Sequence, residues 1–240
     1  MQSLYGAIAN TNKKEIMVNV DTVYQRVLAI ANKEQRGYVT PLEFNLLANQ
    51  VQLSMFEEYF TQLNQALAIP GNESEYSDIV KTLNEKISIF KTEATLSLSG
   101  SYFQYPSNMY KLGTLYAGQP SSGAIVNGVE VQEINYDELL DYTNSPLTRP
   151  TETKPLYIRR AEGLNIIPST IVGGIRATYT KIPSKVEWGY VVTNEQALYN
   201  ASSSDNFELH VSEETTLVTG ILGLAGIVMQ KPDLAAPQQS

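Results

Sequence analysis

Twelve residues carry a spacing that names a chemistry: Asn32-Lys-Glu-Gln-Arg-Gly37-Tyr-Val-Thr40-Pro41-Leu-Glu43. Glycine stands sixth, valine eighth, threonine ninth and glutamate twelfth. This is the frame of an EF-hand calcium loop, where oxygens surround the ion and the glycine makes the sharp turn. The ligands suit a cation badly. Arg36 occupies the fifth position, where an oxygen belongs, and Lys33 and Arg36 cancel Glu34 and Glu43. A guanidinium about 4 Å from a divalent ion costs up to roughly 8 kcal/mol at an effective dielectric near 20. An EF-hand-like calcium-binding interaction module on residues 32–43 stands as the alternative reading of this stretch.

The other chemistries are sparse. There is no cysteine and one histidine, His210, so thiolate metal sites and disulfides are excluded and a transition-metal site lacks donors. A serine triad would have to use His210, and no Gly-x-Ser-x-Gly turn exists to present a serine. Neither a phosphate-cradling Walker loop nor a dinucleotide glycine fingerprint is present. Acidic residues are scattered, and two of them could still meet in space as a glycosidase pair. The expectation is no catalytic residue, no cofactor and no metal.

The same early stretch has a second, structural reading as a helix end, a tight loop and a helix start. Gly37 suits the left-handed position past a helix C-terminus. Thr40 and Glu43 form a capping box, with Pro41 at the first helical position, where no amide proton is needed. Before it, Val23, Val27, Ile30 and Ala31 recur at helical steps, with Asp21 able to cap. After it, Leu46, Leu47, Val51, Met55, Tyr59 and Leu63 form an apolar stripe that Leu42, Leu53, Phe56 and Phe60 broaden, predicting one long helix to about Leu67. These aromatics pack a core or face a partner. A shorter helical pattern follows over Ser77–Lys91.

From Ala94 the period shifts to alternation, with turn residues every eight to twelve positions. Strands are expected at Leu112–Tyr116, Gly128–Ile134, Leu156–Arg159, Leu164–Ile167, Ile175–Lys181 and Tyr190–Val192, forming an antiparallel sheet or small barrel. Trp188, the only tryptophan, either closes the barrel end or anchors a neighbour. Ser212 can cap a final apolar helix, whose Gly220, Gly223 and Gly226 call for a packing partner. The expected fold is α+β: an arm at 1–19, a helical region at 20–93, a β-rich domain at 94–210, a C-terminal helix at 211–230 and a flexible tail at 231–240. Candidate interface residues are Phe56, Tyr59, Phe60, Trp188, Tyr190, Ile221 and Leu224.

The 240 residues are 42% hydrophobic and carry a net charge of −8, which fits a globular chain and argues against a nucleic-acid-binding surface. Tyrosine is frequent, at 15 residues against six Phe, a weak sign of interface use. The start lacks the pattern of a signal peptide, and no apolar run approaches the 18 or so residues a membrane span needs.

The run Asn32 to Asn45, with Gln50 to Phe60 after it, resembles structural proteins of crAss-like tailed bacteriophages, in particular ring or adaptor proteins of the head–tail junction. The resemblance continues in Tyr110-Lys-Leu-Gly, in Asn144-Ser-Pro-Leu-Thr-Arg-Pro-Thr, in the Ile-Pro-Ser of 167–169, in Lys181-Ile-Pro-Ser-Lys-Val-Glu-Trp-Gly-Tyr190 and in the C-terminal helix. It implies a virion protein of the neck or tail, assembled in the host bacterial cytoplasm. It further implies a homo-oligomeric ring of roughly twelve copies. The portal and other neck or tail proteins would be its partners, DNA would pass through without specific binding, and no membrane would be involved. Nothing in it implies enzymatic residues.

Overall fold

The computed structural model describes residues 17–33, 39–68, 74–121, 124–193 and 195–226. Three helices come first: α1 (Val20–Lys33), α2 (Pro41–Ala68) and α3 (Ser74–Ser88). Strands follow: β1 (Lys91–Thr95), β2 (Leu98–Ser99), β3 (Tyr102–Phe103), β4 (Met109–Ser121) and β5 (Ala124–Glu133). A short helix α4 (Leu139–Asn144) precedes β6 (Leu156–Arg160), β7 (Gly163–Ile167) and β8 (Ile175–Lys181). The chain then forms β9 (Tyr190–Thr193), β10 (Gln196–Tyr199) and α5 (Glu214–Leu224). The fold is α+β, as the change of period at residue 94 implies.

The division into domains differs from the expected one. A helical unit consists of Met1–Ile89 with Pro183–Ser240, and a β unit consists of Phe90–Ile182. In sequence the β unit is an insertion, and residues 183–210 belong with the helices rather than with the sheet. The reason is hydrogen bonding. The 184–188 backbone is extended like a strand, but its partners are side chains of α2. Tyr190–Val192 does form a strand, in a two-stranded hairpin with β10.

The β unit is one eight-stranded sheet in the order β1-β8-β4-β5-β6-β7-β3-β2, antiparallel except where β5 meets β6. It is curled but open, with β1 and β2 at its edges, so of the two expected forms the sheet is realised rather than a closed barrel. Alternation places Leu115 and Ala117 of β4, Ile175 and Ala177 of β8, and Leu164 and Ile166 of β7 in one core with Tyr157. Leu156 and Ile158 point the other way and pack with Leu139 and Tyr142 of α4. The unit's ends are neighbours: Lys91 pairs with Thr180, and the Lys181 amide donates to the Phe90 carbonyl at 2.9 Å. An insertion whose ends meet can be accommodated without separating the elements on either side of it.

The helices start and stop for local reasons. Asn19, not Asp21, caps α1, its Oδ1 accepting the amides of Asp21 at 2.8 Å and Thr22 at 3.1 Å. The capping box at α2 forms as read. The Thr40 amide donates to Glu43 Oε2 at 2.9 Å, and the Glu43 amide donates to Thr40 Oγ1 at 3.3 Å. Ser212 does not cap the last helical segment. His210 does, its Nδ1 accepting the Ser212 amide at 3.2 Å, so the chain's one histidine has a structural task. The packing partner α5 needs is supplied within the helical unit, by α1 and α2. A Cβ at Gly220 would lie 2.8 Å from Val51 Cγ1, so the glycine lets the two helices approach.

Candidate functional site

Three amide side chains on α2 define the most specific polar arrangement of the helical unit. Asn45, Asn49 and Gln52 are spaced four and three apart and share one helix face. Opposite them runs an extended strap whose alternate residues, Ser184, Val186 and Trp188, present their backbone. The Trp188 amide donates to Asn45 Oδ1 at 2.8 Å, and Asn45 Nδ2 returns a bond to the Trp188 carbonyl at 3.4 Å. The Val186 amide donates to Asn49 Oδ1 at 2.9 Å, and Asn49 Nδ2 donates to the Val186 carbonyl at 2.8 Å. Gln52 Nε2 donates to the Ser184 carbonyl at 2.8 Å, while Gln52 Oε1 accepts the Glu208 amide at 3.0 Å. Glu208 closes the circuit by accepting the Ser184 amide at 3.0 Å. The match is geometric. Seven helical residues rise about 10.5 Å and four extended residues span about 13 Å, so amides at this spacing keep step with every second strap residue. Buried backbone polar groups need partners, and here α2 takes the place of a neighbouring strand.

The ladder delivers Trp188 into the core. Its ring is 2% exposed, lies 4.4 Å from the Tyr24 ring between centroids, and donates from Nε1 to Asp21 Oδ1 at 2.9 Å. Tyr24 also meets Phe44 at 4.7 Å and donates from its hydroxyl to the Val39 carbonyl at 3.1 Å. One aromatic cluster therefore joins α1, the start of α2 and the strap. Trp188 neither closes a barrel nor stands out as an anchor; it fastens the strap.

Beyond the tryptophan the chain emerges as the β9–β10 hairpin. Tyr190 and Tyr199 pair across it and rest on Trp188, at 5.9 and 5.8 Å between ring centroids. Val191 pairs with Leu198 on the opposite face, and each is 51% exposed. Val192 is 65% exposed. A two-stranded hairpin showing valine and leucine to water is marginal on its own. A second apolar surface lies on α2. Leu42 and Leu46, each 66% exposed, and Leu53, 43% exposed, fall within about 40° of one another around the helix.

The sequence-derived site residues separate into groups. Thr40, Pro41 and Glu43 form the cap, and hydrogen bonding from Thr40 holds the Glu43 carboxyl below its usual range. Glu43 Oε2, the twelfth-position oxygen of the calcium frame, is thereby already engaged. Gly37 and residues 34–38 of that frame lie outside the described residues. Of the candidate interface residues, Phe56, Tyr59, Trp188 and Ile221 are corrected to core positions, being buried within the subunit. Phe60 is half-buried, edge-on to Phe56 at 5.0 Å, whereas Tyr190 and Leu224 are exposed. The expected stripe residues Leu42, Leu46 and Leu53 are outside the core. Their place inward is taken by Phe44, Ala48 and Gln52, which sequence reading passed over. Three amides four and three apart amid an apolar helix were the available signal.

A few charged groups form ion pairs. Lys86 reaches Glu213 at 2.5 Å beside Tyr59, whose hydroxyl is pushed well above its usual value by burial and then by Glu213. Arg26 pairs with Glu214 at 3.0 Å. In the β unit, Glu133 accepts from Tyr157 at 2.8 Å and from Arg159 at 2.9 Å, beside a cavity of about 510 Å³ lined by Gly113, Thr114 and Glu130. The Arg159 hydrogen bond lowers the Glu133 carboxyl, and burial raises the Tyr157 hydroxyl to about 12. A carboxylate so lowered and doubly bonded is a poor proton acceptor. Among the described residues no group of three or more His, Cys, Asp or Glu is placed to hold a metal, and no helix is long and apolar enough to cross a membrane.

No protein-family model matches the chain, and no curated protein matches it.

Proposed function

We propose that this chain is a structural subunit of a tailed-phage neck or tail, closing with copies of itself into a ring of roughly twelve between portal and tail. It makes and breaks no bonds. The observation that carries the reading is the β9–β10 hairpin, which rests on the buried Trp188 through Tyr190 and Tyr199 and shows Val191, Val192 and Leu198 to solvent. An apolar tongue anchored on a buried core is what a docking surface looks like before its partner arrives. The leucine row of α2 is a second such surface, and two unlike surfaces on one subunit are what head-to-tail ring closure requires. The sequence resemblance supplies the setting: a ring on the DNA exit channel, meeting the portal and other neck proteins.

Charge distribution fits the channel role. The helical unit holds 9 basic against 17 acidic residues and the β unit 8 against 8, so the net −8 resides in the helical unit. Acidic walls repel phosphates and let DNA pass without specific contacts.

Native mass measurement tests the reading. The wild-type chain, titrated in concentration, gives multiples of its 26.6 kDa mass, and Val191→Asp with Leu198→Asp shifts the distribution to monomer without lowering the thermal midpoint. Equal assembly by the variant and the wild type, or no assembly by either, removes the hairpin from its assigned role.

A further inference from the structure

The leucine row on α2 lacks a cover among the described residues, and the composition of the helical unit points to one. Around the helix from Leu42, Leu46 and Leu53 the nearest charges are the exposed acids Glu57 and Glu43, and α2 contains no lysine or arginine. A partner for this surface must combine apolar anchors with cations. Most of the helical unit cannot supply it, because acids outnumber bases there by 17 to 9. Residues 1–16 can: they contain Leu4, Tyr5 and Ile8, then Lys13 and Lys14 against the single acid Glu15.

The point of departure also fits. Met17 bridges to His210 and the Val18 amide donates to the Leu209 carbonyl at 3.1 Å, which fixes the root of this segment in the same unit as α2. Sixteen residues reach roughly 50 Å when extended, farther than the length of α2, about 42 Å at 1.5 Å per residue. We propose that residues 1–16 dock on the leucine row of α2, their apolar side chains covering Leu42, Leu46 and Leu53 and their lysines facing Glu57. The row lies on the copy's own α2 or on a neighbour's. The inference bears on the ring reading, since docking on a neighbour's row makes this segment a ring contact and docking on the copy's own row withdraws that row from ring closure; the experiment tells the two geometries apart.

The chain has no cysteine, so introduced thiols report alone. Ile8→Cys is combined with Leu46→Cys on the row, with Ile79→Cys at an exposed site on α3, or omitted in favour of Leu234→Cys with Leu46→Cys to sample the C-terminal tail. Docking raises the local concentration of the segment over the row, so the 8/46 pair is trapped as a disulfide about tenfold faster than the 8/79 pair. A disulfide within one chain places the segment on its own row, and a covalent dimer places it on a neighbour's. Lys13→Glu with Lys14→Glu slows 8/46 trapping severalfold, as does added salt. Equal rates at Leu46 and Ile79, faster trapping from Leu234, or a rate indifferent to the lysine reversal overturns the proposal. All substituted positions except those in residues 1–16 and the tail are exposed in the structure, and unchanged thermal midpoints confirm that folding is intact.

Discussion

Replacing Gln52 by leucine isolates the contribution of the amide ladder. Gln52 is 2% exposed, and its two bonds go to backbone groups, the Ser184 carbonyl at 2.8 Å and the Glu208 amide at 3.0 Å. Leucine fills nearly the same volume but answers neither group. The Glu208 amide, on a buried residue, costs about 1–3 kcal/mol when orphaned, whereas the carbonyl of the exposed Ser184 turns to water and forfeits only the net value of a hydrogen bond, about 0.5–1.5 kcal/mol. The leucine recovers part of this through its greater hydrophobicity, about 1 kcal/mol at most, since the site was already shielded from water. The net loss is therefore about 0.5–4.5 kcal/mol. Trp188 reports the event directly: it is the only tryptophan, it is buried in the helical unit, and it sits two ladder rungs from Ser184, the strap residue Gln52 holds. Urea unfolding followed by its fluorescence has a slope of about 2 kcal/mol per molar for a unit of this size, so the midpoint falls by roughly 0.3–2.3 M. Gln50→Leu, two residues away but exposed, is the matched control and changes stability by less than about 0.5 kcal/mol. A Gln52→Leu midpoint within about 0.2 M of wild type would mean that the strap is held by Trp188 and Val186 alone, and the ladder argument would be refuted.

Five further outcomes follow from the structure. Gly220→Ala loses about 1–3 kcal/mol by pressing on Val51. Gly223→Ala, where a Cβ meets nothing within 4 Å, gains up to about 1 kcal/mol, and thermal melts distinguish the two signs. Thr40→Ala removes the cap hydroxyl of α2 and costs about 1 kcal/mol, read as a urea midpoint. Glu133 is lowered from an ordinary value of 4.5, so its contribution is present above that pH and is lost as pH falls through the folded value; Glu133→Gln flattens the acid limb of β-unit stability measured by circular dichroism. Calcium at millimolar concentration gives no heat on titration, because Glu43 is engaged by Thr40 and Arg36 occupies a ligand position; saturable heat would restore the alternative reading of 32–43.

How far the sequence could be read follows from the range of the interactions that decide each feature. The α2 start was legible because a capping box is contained in four residues, Thr40 to Glu43. The strands β6, β7 and β8 were legible because alternation is a local pattern, and the Ile175–Lys181 bounds coincide with β8. The allegiance of residues 183–188 was not. Their extended, proline-stiffened composition suits a sheet, and only the amides of α2, more than 130 residues away, determine that they lie on a helix instead. The same distance hides Trp188, whose partners Asp21 and Tyr24 lie near the other end of the chain. On α2, leucines at helical spacing read as core, yet the buried face is turned toward Phe44, Ala48 and Gln52, and a broad apolar stripe cannot say which of its sides points inward. Phe56 and Tyr59 as candidate contacts failed for that reason, while Tyr190 and Leu224 remain at the surface.

Counting copies in purified particles produced from the genome that encodes this chain tests the central claim most directly. Quantitative mass spectrometry against a fixed-stoichiometry capsid standard gives roughly twelve copies per particle if the chain closes as a neck ring. Its absence from particles, or presence at well under one ring per particle, contradicts the account.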